Sequence, residues 1–209
     1  MHGVLLDRDG TLSLTGGYCH PVDFQLAPWA GEAIRLLNQH GLPVAVITNQ
    51  TGIARGKFTA EQLHACFTQM IDELAQANAY LSAIYYCPHI KSAELTAYAI
   101  NCPYHKPNPG MLLRAAHDLG VKIEHCFMVG DSGKSDIGAG AAAGCQTILV
   151  RTGWGESSLH EYRYDWADIE PDQVFDNLLD AVQWIISVTP PQPAVAQTYA
   201  EIIPCKPLV

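Results

Sequence analysis

Two carboxylates one residue apart close a short apolar run in Val4-Leu5-Leu6-Asp7-Arg8-Asp9-Gly10-Thr11-Leu12. A run of this kind reads as a buried strand. It brings Asp7 and Asp9 to its C-terminal edge, where open α/β sheets place their chemistry. Strand alternation points both carboxylates one way and Arg8 aside, and Gly10 lets the chain turn out of the sheet. Adjacent carboxylates repel unless a divalent cation lies between them or one keeps a proton, and both situations are catalytic. The competing reading is a solvated Asp-x-Asp turn. Thr48, Lys106 and Asp131 fall at or just beyond strand ends, or in loops returning to the same edge. A carboxylate nucleophile needs a metal to shield it from an incoming phosphate, a proton donor for the leaving group and fixed donors for the phosphoryl oxygens. Asp7, Asp9, Thr48 and Lys106 are of the right types, and Asp131 adds a hard oxygen ligand suited to magnesium.

A second group lies between Cys87 and His105. Cys87-x-His89 followed by Cys102 offers three soft or borderline ligands, and zinc in a closed structural site wants a fourth. The segment has no clean period and is long for a structureless connection, so something is expected to hold it together.

The elements that must position these residues alternate in type. After the first strand, Ser13 to Pro21 reads as a loop over the strand edge, with Gly17 and Tyr18 within reach of a ligand. A helix is predicted over Pro28 to His40, ended by Gly41, then a buried strand from Pro43 to Ile47. Thr59 and Gln62 form a capping box for the next helix, through Leu74, in which Cys66 is a core residue. Ala83 to Tyr86 is a strand, and Asn108-Pro109 opens a helix that Gly120 can end. Cys126 to Asp131 repeats the opening pattern, followed by a Gly- and Ala-rich helix over Asp136 to Gly144, a strand over Gln146 to Val150 and a helix over Asp176 to Val188. This alternation predicts an α/β fold, a Rossmann-like parallel sheet with helices on both faces and right-handed crossovers. One domain is expected over 1–188 with an inserted loop at 87–105, and 189–209 reads as a proline-bearing, loosely docked tail.

The chain has 209 residues, enough for one substantial core. A formal charge of -9 argues against non-specific binding to nucleic acid or an anionic membrane surface. Neither a signal peptide nor a membrane span is read. Seven scattered cysteines favour reduced thiols or metal ligands over a disulfide framework. A cytoplasmic monomer acting on a small molecule is expected.

Asp7-Arg8-Asp9-Gly10-Thr11, Thr48-Asn49-Gln50, Lys106-Pro107 and Gly130-Asp131 resemble the four motifs of the haloacid dehalogenase superfamily of phosphohydrolases. Within it, the run from Thr48 to Gly56, Tyr85-Tyr86-Cys87-Pro88-His89 and Lys106 to Met111 are similar to the heptose-bisphosphate phosphatase branch, with a phosphatase of histidinol phosphate or another small sugar phosphate, and a catalytically weak relative that binds a phosphorylated ligand or a protein partner, as the alternatives. The likeness runs from about Val4 to Val188. It implies the haloacid dehalogenase fold, Asp7 as a nucleophile forming an aspartyl-phosphate, and Asp9 as acid then base. Thr48 and Lys106 would hold the phosphoryl group, and Asp7, the Asp9 carbonyl and Asp131 would bind magnesium. The implied substrate is a small phosphorylated sugar, with Gly17, Tyr18, Asn49, Gln50, Thr51, Arg55, His105 and Ser132 as candidate contacts.

The chain departs from the branch's pattern in four places. Where the branch continues the zinc loop as Cys-x-Cys, this chain has Tyr104 and then His105. The expected zinc ligands are therefore Cys87, His89, Cys102 and His105, with a metal-free loop held by packing as the alternative. Family members carry Arg before the motif lysine and Lys after the motif aspartate, where this chain has His105 and Ser132; a histidine loses the bidentate grip of a guanidinium on phosphate. One extra residue separates Asp131 from Asp136, which predicts a displaced second carboxylate with Lys134 reaching back into the pocket.

Overall fold

A computed structural model describes residues 1–15, 20–194 and 200–205. Gly17 and Tyr18, expected near a ligand, lie outside the described residues. Seven strands form one sheet: β1 (Gly3–Leu6), β2 (Val44–Asn49), β3 (Ala83–Cys87), β4 (Cys126–Gly130), β5 (Gln146–Val150), β6 (Gln173–Phe175) and β7 (Glu201–Pro204). Their order is β6-β5-β4-β1-β2-β3-β7 and every pair is parallel.

The apolar runs of the strands are continuous because both faces of the sheet are covered. Val4 and Leu6 of β1, Val44 and Val46 of β2, and Phe127 and Val129 of β4 enter one core, built with α1 (Ala30–Gln39), α2 (Ala60–Gln76) and, later in the chain, the helix over Leu178–Val188. The alternate residues Leu5, Ala45, Ile47 and Met128 enter the other, against α3 (Gly110–Asp118) and α4 (Gly138–Ala143). The helix starts follow their local chemistry. Thr59 Oγ1 accepts from Gln62 N at 3.2 Å and Gln62 Oε1 accepts from Thr59 N at 2.8 Å, so the predicted capping box forms. After a short α5 (Gly155–Leu159), α6 (Leu178–Val188) begins at Asn177, whose Oδ1 accepts from Asp180 N at 3.1 Å.

Two elements correct the sequence reading. The Gly- and Ala-rich helix does not start as a regular helix at Asp136: Gly133–Ile137 is a π-helical turn that runs into α4. The tail, expected to be loosely docked, is attached at two points. Gln192 N donates to His40 O at 2.9 Å at the end of α1, and the chain then returns as β7 along the edge of β3. Proline content and the lack of a period hid a strand only four residues long.

Position follows from topology. β1 lies at the centre, flanked by β2 and β4, so the residues leaving these three strands meet at one edge. Among the described residues, no helix is long and apolar enough to cross a membrane. Deleting residues 189–209 uncovers the edge of β3 and removes its ladder hydrogen bonds, each contributing about 1 kcal/mol. The truncated chain is expected to lose on the order of 3 kcal/mol in urea unfolding, and an unchanged midpoint would show that β7 adds nothing to the sheet.

Candidate active site

Asp7 leaves β1 with its amide donating to Val129 O at 2.9 Å, which fixes it between β1 and β4. Gly10 then turns the chain at φ 86°, and a Cβ there would lie 1.9 Å from Asp131 Oδ2. Gly153, at φ 57°, closes on the same carboxylate: its Cβ would fall 2.2 Å from Asp131 Oδ2 and 2.5 Å from Gly10 Cα. Both positions require the left-handed backbone and the missing side chain. The sequence reading did not single out Gly153; its only local signal was a Gly-x-Gly turn after a strand.

Lys106 arrives from the loop after Cys102. Its backbone is clasped by Asn49, whose Oδ1 accepts from Lys106 N at 3.1 Å and whose Nδ2 donates to Lys106 O at 3.0 Å. Asn49, expected to touch substrate, is thus committed to positioning Lys106, although it also lines the cleft. The buried ammonium donates to Asp7 Oδ1 at 2.7 Å, Asp136 Oδ1 at 2.6 Å and Ile47 O at 2.7 Å. Burial alone would lower the lysine's pKa, but the Asp136 and Asp7 charges outweigh it and hold the ammonium above its ordinary range.

The carboxylate expected to be displaced by the extra residue is not displaced. Ile137 N donates to Ser132 O at 3.2 Å, an i→i+5 bond, so the π turn absorbs one residue and returns Asp136 to the cluster. Asp136 also accepts from Ser132 N at 2.9 Å. Lys134, expected to reach the pocket, instead lies on the surface 3.5 Å from Asp165.

Arg8 is fully buried, although the alternation had pointed it aside. Its guanidinium holds Asp9 through Nη2 at 2.7 and 2.9 Å and Nε at 3.0 Å, and rests over the Phe24 ring at 5.0 Å. Gln50 Nε2 bridges Asp9 Oδ2 and Thr48 Oγ1, both at 2.9 Å. Burial raises the Asp9 pKa and the Asp7 charge adds to the rise, against the lowering by Arg8. A buried carboxyl raised in this way is suited to hold and release a proton.

Asp7, Asp131 and Asp136 present carboxylate oxygens that all lie within 4.8 Å of one another. Burial, then the Asp7 and Asp136 charges, push Asp131 well above the usual carboxylate range, although Trp154 N donates to it at 2.8 Å. Burial and the Asp7 charge raise Asp136 to about 6 despite Lys106. Crowded, hard oxygen donors that resist joint ionisation fit a small divalent cation such as magnesium.

These groups line a cleft of 390 Å³ that Thr51, His105, Ser132 and Trp154 also border. Thr48, Gln50, Thr51, His105 and Ser132 therefore border the same cleft as the acidic residues. Ser132 Oγ accepts from Ser135 N at 3.2 Å, which makes it the cap of the π turn. Arg55 is not there: its side chain is exposed and does not border the cleft.

The fourth member of the cysteine group also differs. Cys87, His89, Cys102 and Cys205 offer ligand atoms within 4.8 Å of one another. His105, the expected fourth ligand, is not in that group: it borders the cleft, with Nε2 3.4 Å from Asn49 Nδ2, although its ring also lies beside the Cys87 thiol. Cys205 is 103 residues from Cys102 and belongs to the segment read as a tail, so no spacing pattern pointed to it.

The family model described as "HAD-hyrolase-like" matches residues 103–181. A D-glycero-D-manno-heptose-1,7-bisphosphate 7-phosphatase of Thermosynechococcus vestitus is 38% identical over 194 residues, 90% of this chain and 97% of that protein. The D-glycero-beta-D-manno-heptose-1,7-bisphosphate 7-phosphatase of Escherichia coli K12 is 39% identical over 78% of this chain and 86% of its own length. This chain belongs to the haloacid dehalogenase-like phosphatases. A crystal structure of the D,D-heptose 1,7-bisphosphate phosphatase of B. bronchiseptica, complexed with magnesium and phosphate, superposes with a TM-score of 0.79 at 30% identity, covering 90% of this chain and all (100%) of that one.

In this haloacid dehalogenase-like chain the raised carboxyls set a pH dependence. A carboxyl whose folded pKa exceeds its unfolded value contributes stability that is fully present below the unfolded pKa and is lost as pH rises through the folded one. For Asp136 that window runs from about 4, the unfolded value, to about 6, and Asp131 acts in the same direction. Metal-stripped protein is expected to lose on the order of 2 kcal/mol across this window relative to Asp136→Asn. Parallel stability profiles for the two proteins in chelator would show that the repulsion is not there.

Proposed function

We propose that this chain is a phosphomonoester hydrolase working through an aspartyl-phosphate on Asp7, with D-glycero-D-manno-heptose 1,7-bisphosphate as substrate and the 7-phosphate as the group removed. The observation that carries the reading is Asp7, pinned at 2.7 Å by the Lys106 ammonium, facing one cleft with Asp9, Thr48 and Asp131. Asp7, the Asp9 carbonyl and Asp131 would hold magnesium, which neutralises phosphoryl charge and lets an anionic nucleophile approach.

A carboxylate oxygen of Asp7 attacks phosphorus while the bond to the ester oxygen breaks. Asp9 gives its proton to the departing oxygen, which its raised pKa favours. Lys106 and Thr48 hold phosphoryl oxygens in place. Asp9, now ionised, takes a proton from the water that attacks phosphorus, and phosphate leaves with Asp7 restored. Arg8 and Gln50 keep Asp9 in place through both halves.

The substrate assignment rests on the heptose-bisphosphate names of the relatives. A second ester, such as histidinol phosphate or another sugar phosphate, is the other reading, because His105 and Ser132 stand where the branch has Arg and Lys. A cytoplasmic monomer completes the proposal, and the described cysteines, all free thiols, fit a reducing compartment. The loop from Cys87 to Cys102 is read as a structural zinc loop, with Cys87, His89 and Cys102 as ligands.

Phosphate release from a panel of esters tests this. Magnesium-dependent turnover is expected, with kcat/KM for the heptose bisphosphate at least about tenfold above histidinol phosphate, a margin of roughly 1.4 kcal/mol. Asp7→Asn is expected to lower kcat by about 10³-fold or more. Preference for another ester would discard the substrate and keep the mechanism, and full activity in Asp7→Asn would discard the mechanism.

A further inference from the structure

We propose that Cys205 is the fourth ligand of a closed tetrahedral site with Cys87, His89 and Cys102, so that a bound zinc-class cation staples the C-terminal strand β7 to the edge of the sheet. The inference rests on reading the Cys87–Cys102 loop as a zinc loop and adds what closes it.

Register places the residue. β7 pairs with β3 from Ala83↔Glu201 to Tyr86↔Pro204, and Cys205 N then donates to Tyr86 O at 3.0 Å. Side chains two apart on a strand share a face. Ile203 and Cys205 pack against the same core as Tyr85 and Cys87, so the Cys205 thiol is delivered to the side of the sheet where the loop ligands stand.

The separations are those of a metal site. A tetrahedron with bonds of about 2.3 Å to sulfur and about 2.05 Å to nitrogen has S···S edges of about 3.8 Å and S···N edges of about 3.6 Å. Cys102 Sγ and Cys205 Sγ are 3.8 Å apart, and His89 Nδ1 is 3.5 Å from Cys205 Sγ and 3.7 Å from Cys87 Sγ. A disulfide needs about 2.05 Å between sulfurs. Cys87, His89 and Cys102 are buried and Cys205 is half-buried, so three soft donors and an imidazole converge away from solvent. Tyr104, in the position where the branch has cysteine, packs instead against the α3-side core.

The staple reaches the active site through the chain. Cys87 O accepts from Gln50 N at 2.7 Å, and Cys102 O accepts from His105 N at 3.1 Å and Asn108 Nδ2 at 2.9 Å, on either side of Lys106. A cation tying these residues to β7 therefore braces both segments that carry phosphoryl-binding groups.

The test uses tagless full-length protein, with metal content by plasma spectrometry, zinc affinity by chelator competition, and hydrogen exchange of residues 201–205. Wild type is expected to carry one equivalent of zinc. Cys205→Ser is expected to bind zinc at least tenfold more weakly and His105→Ala to bind it as wild type does. Removing zinc from wild type is expected to speed exchange in β7 at least tenfold and leave β1 unchanged, a readout that does not depend on the variant folding. Full zinc affinity in Cys205→Ser, or β7 exchange indifferent to zinc, overturns the staple and leaves the zinc loop standing. Wild type that takes up no zinc, or an intact mass showing a Cys102–Cys205 disulfide, overturns both.

Discussion

The Lys106 ammonium is held by Asp7, Asp136 and the Ile47 carbonyl at 2.6 to 2.7 Å, with almost none of the side chain in contact with solvent. An ammonium there without partners would shed its proton, and the two carboxylates without it would repel. Each side of this contact makes the other tolerable. It also joins the three parts of the fold that matter: the end of β1 through Asp7, the turn after β4 through Asp136, and the segment that follows the inserted loop through Lys106 itself. The rest of the site is arranged around keeping those parts in register.

Charge does not balance in this region. Among the described residues, the buried carboxyl side chains are Asp7, Asp9, Asp131 and Asp136, against Arg8 and Lys106 as the buried arginine and lysine, and all six belong to one cluster. Arg8 is spent on Asp9 and Lys106 on Asp7 and Asp136. Asp131 accepts from the backbone amide of Trp154 and has two glycines pressed against it. The surplus negative charge is therefore localised beside Asp7, which is where a cation must lie if a phosphate dianion is to approach a carboxylate nucleophile. Perturbed carboxyls clustered in a cleft are the usual mark of such a site.

Most of the candidate catalytic side chains were legible because they follow an apolar run that only a buried strand explains, and a parallel sheet brings the ends of such runs together. Asp7, Asp9, Thr48 and Asp131 were found on that logic, Lys106 from a loop expected to return to the same edge, and all border one cleft. What was missed has a physical pattern. Asp136 was expected out of place because counting residues assumes a regular helix, and a π turn can absorb one insertion without a composition signal. Arg8 was turned aside because alternation holds inside a strand and not past its last paired residue, Leu6. Cys205 depends on a pairing between β3 and a four-residue strand more than a hundred positions away, and non-local pairing leaves no periodicity to read.

Chemistry and selectivity occupy different parts of this molecule. The floor of the cleft is a closed network of buried charges, in which changing one member leaves another uncompensated, so it admits little variation. The walls are loop residues: Ile90, His105, Ser132 and Trp154. His105 presents at most one ring nitrogen to a ligand along any direction, whereas a guanidinium offers a paired fork. Ser132 has its amide on Asp136 and its hydroxyl oxygen capping the π turn. Neither residue reproduces the grip on an anion that Arg and Lys would give in these positions. Recognition of the proposed sugar phosphate would then draw more on shape and on hydrogen bonds from the remaining wall, and less on opposite charge. Screening by salt weakens charge recognition far more than it weakens shape, so substrate affinity here should be less sensitive to ionic strength than in a relative that keeps the arginine.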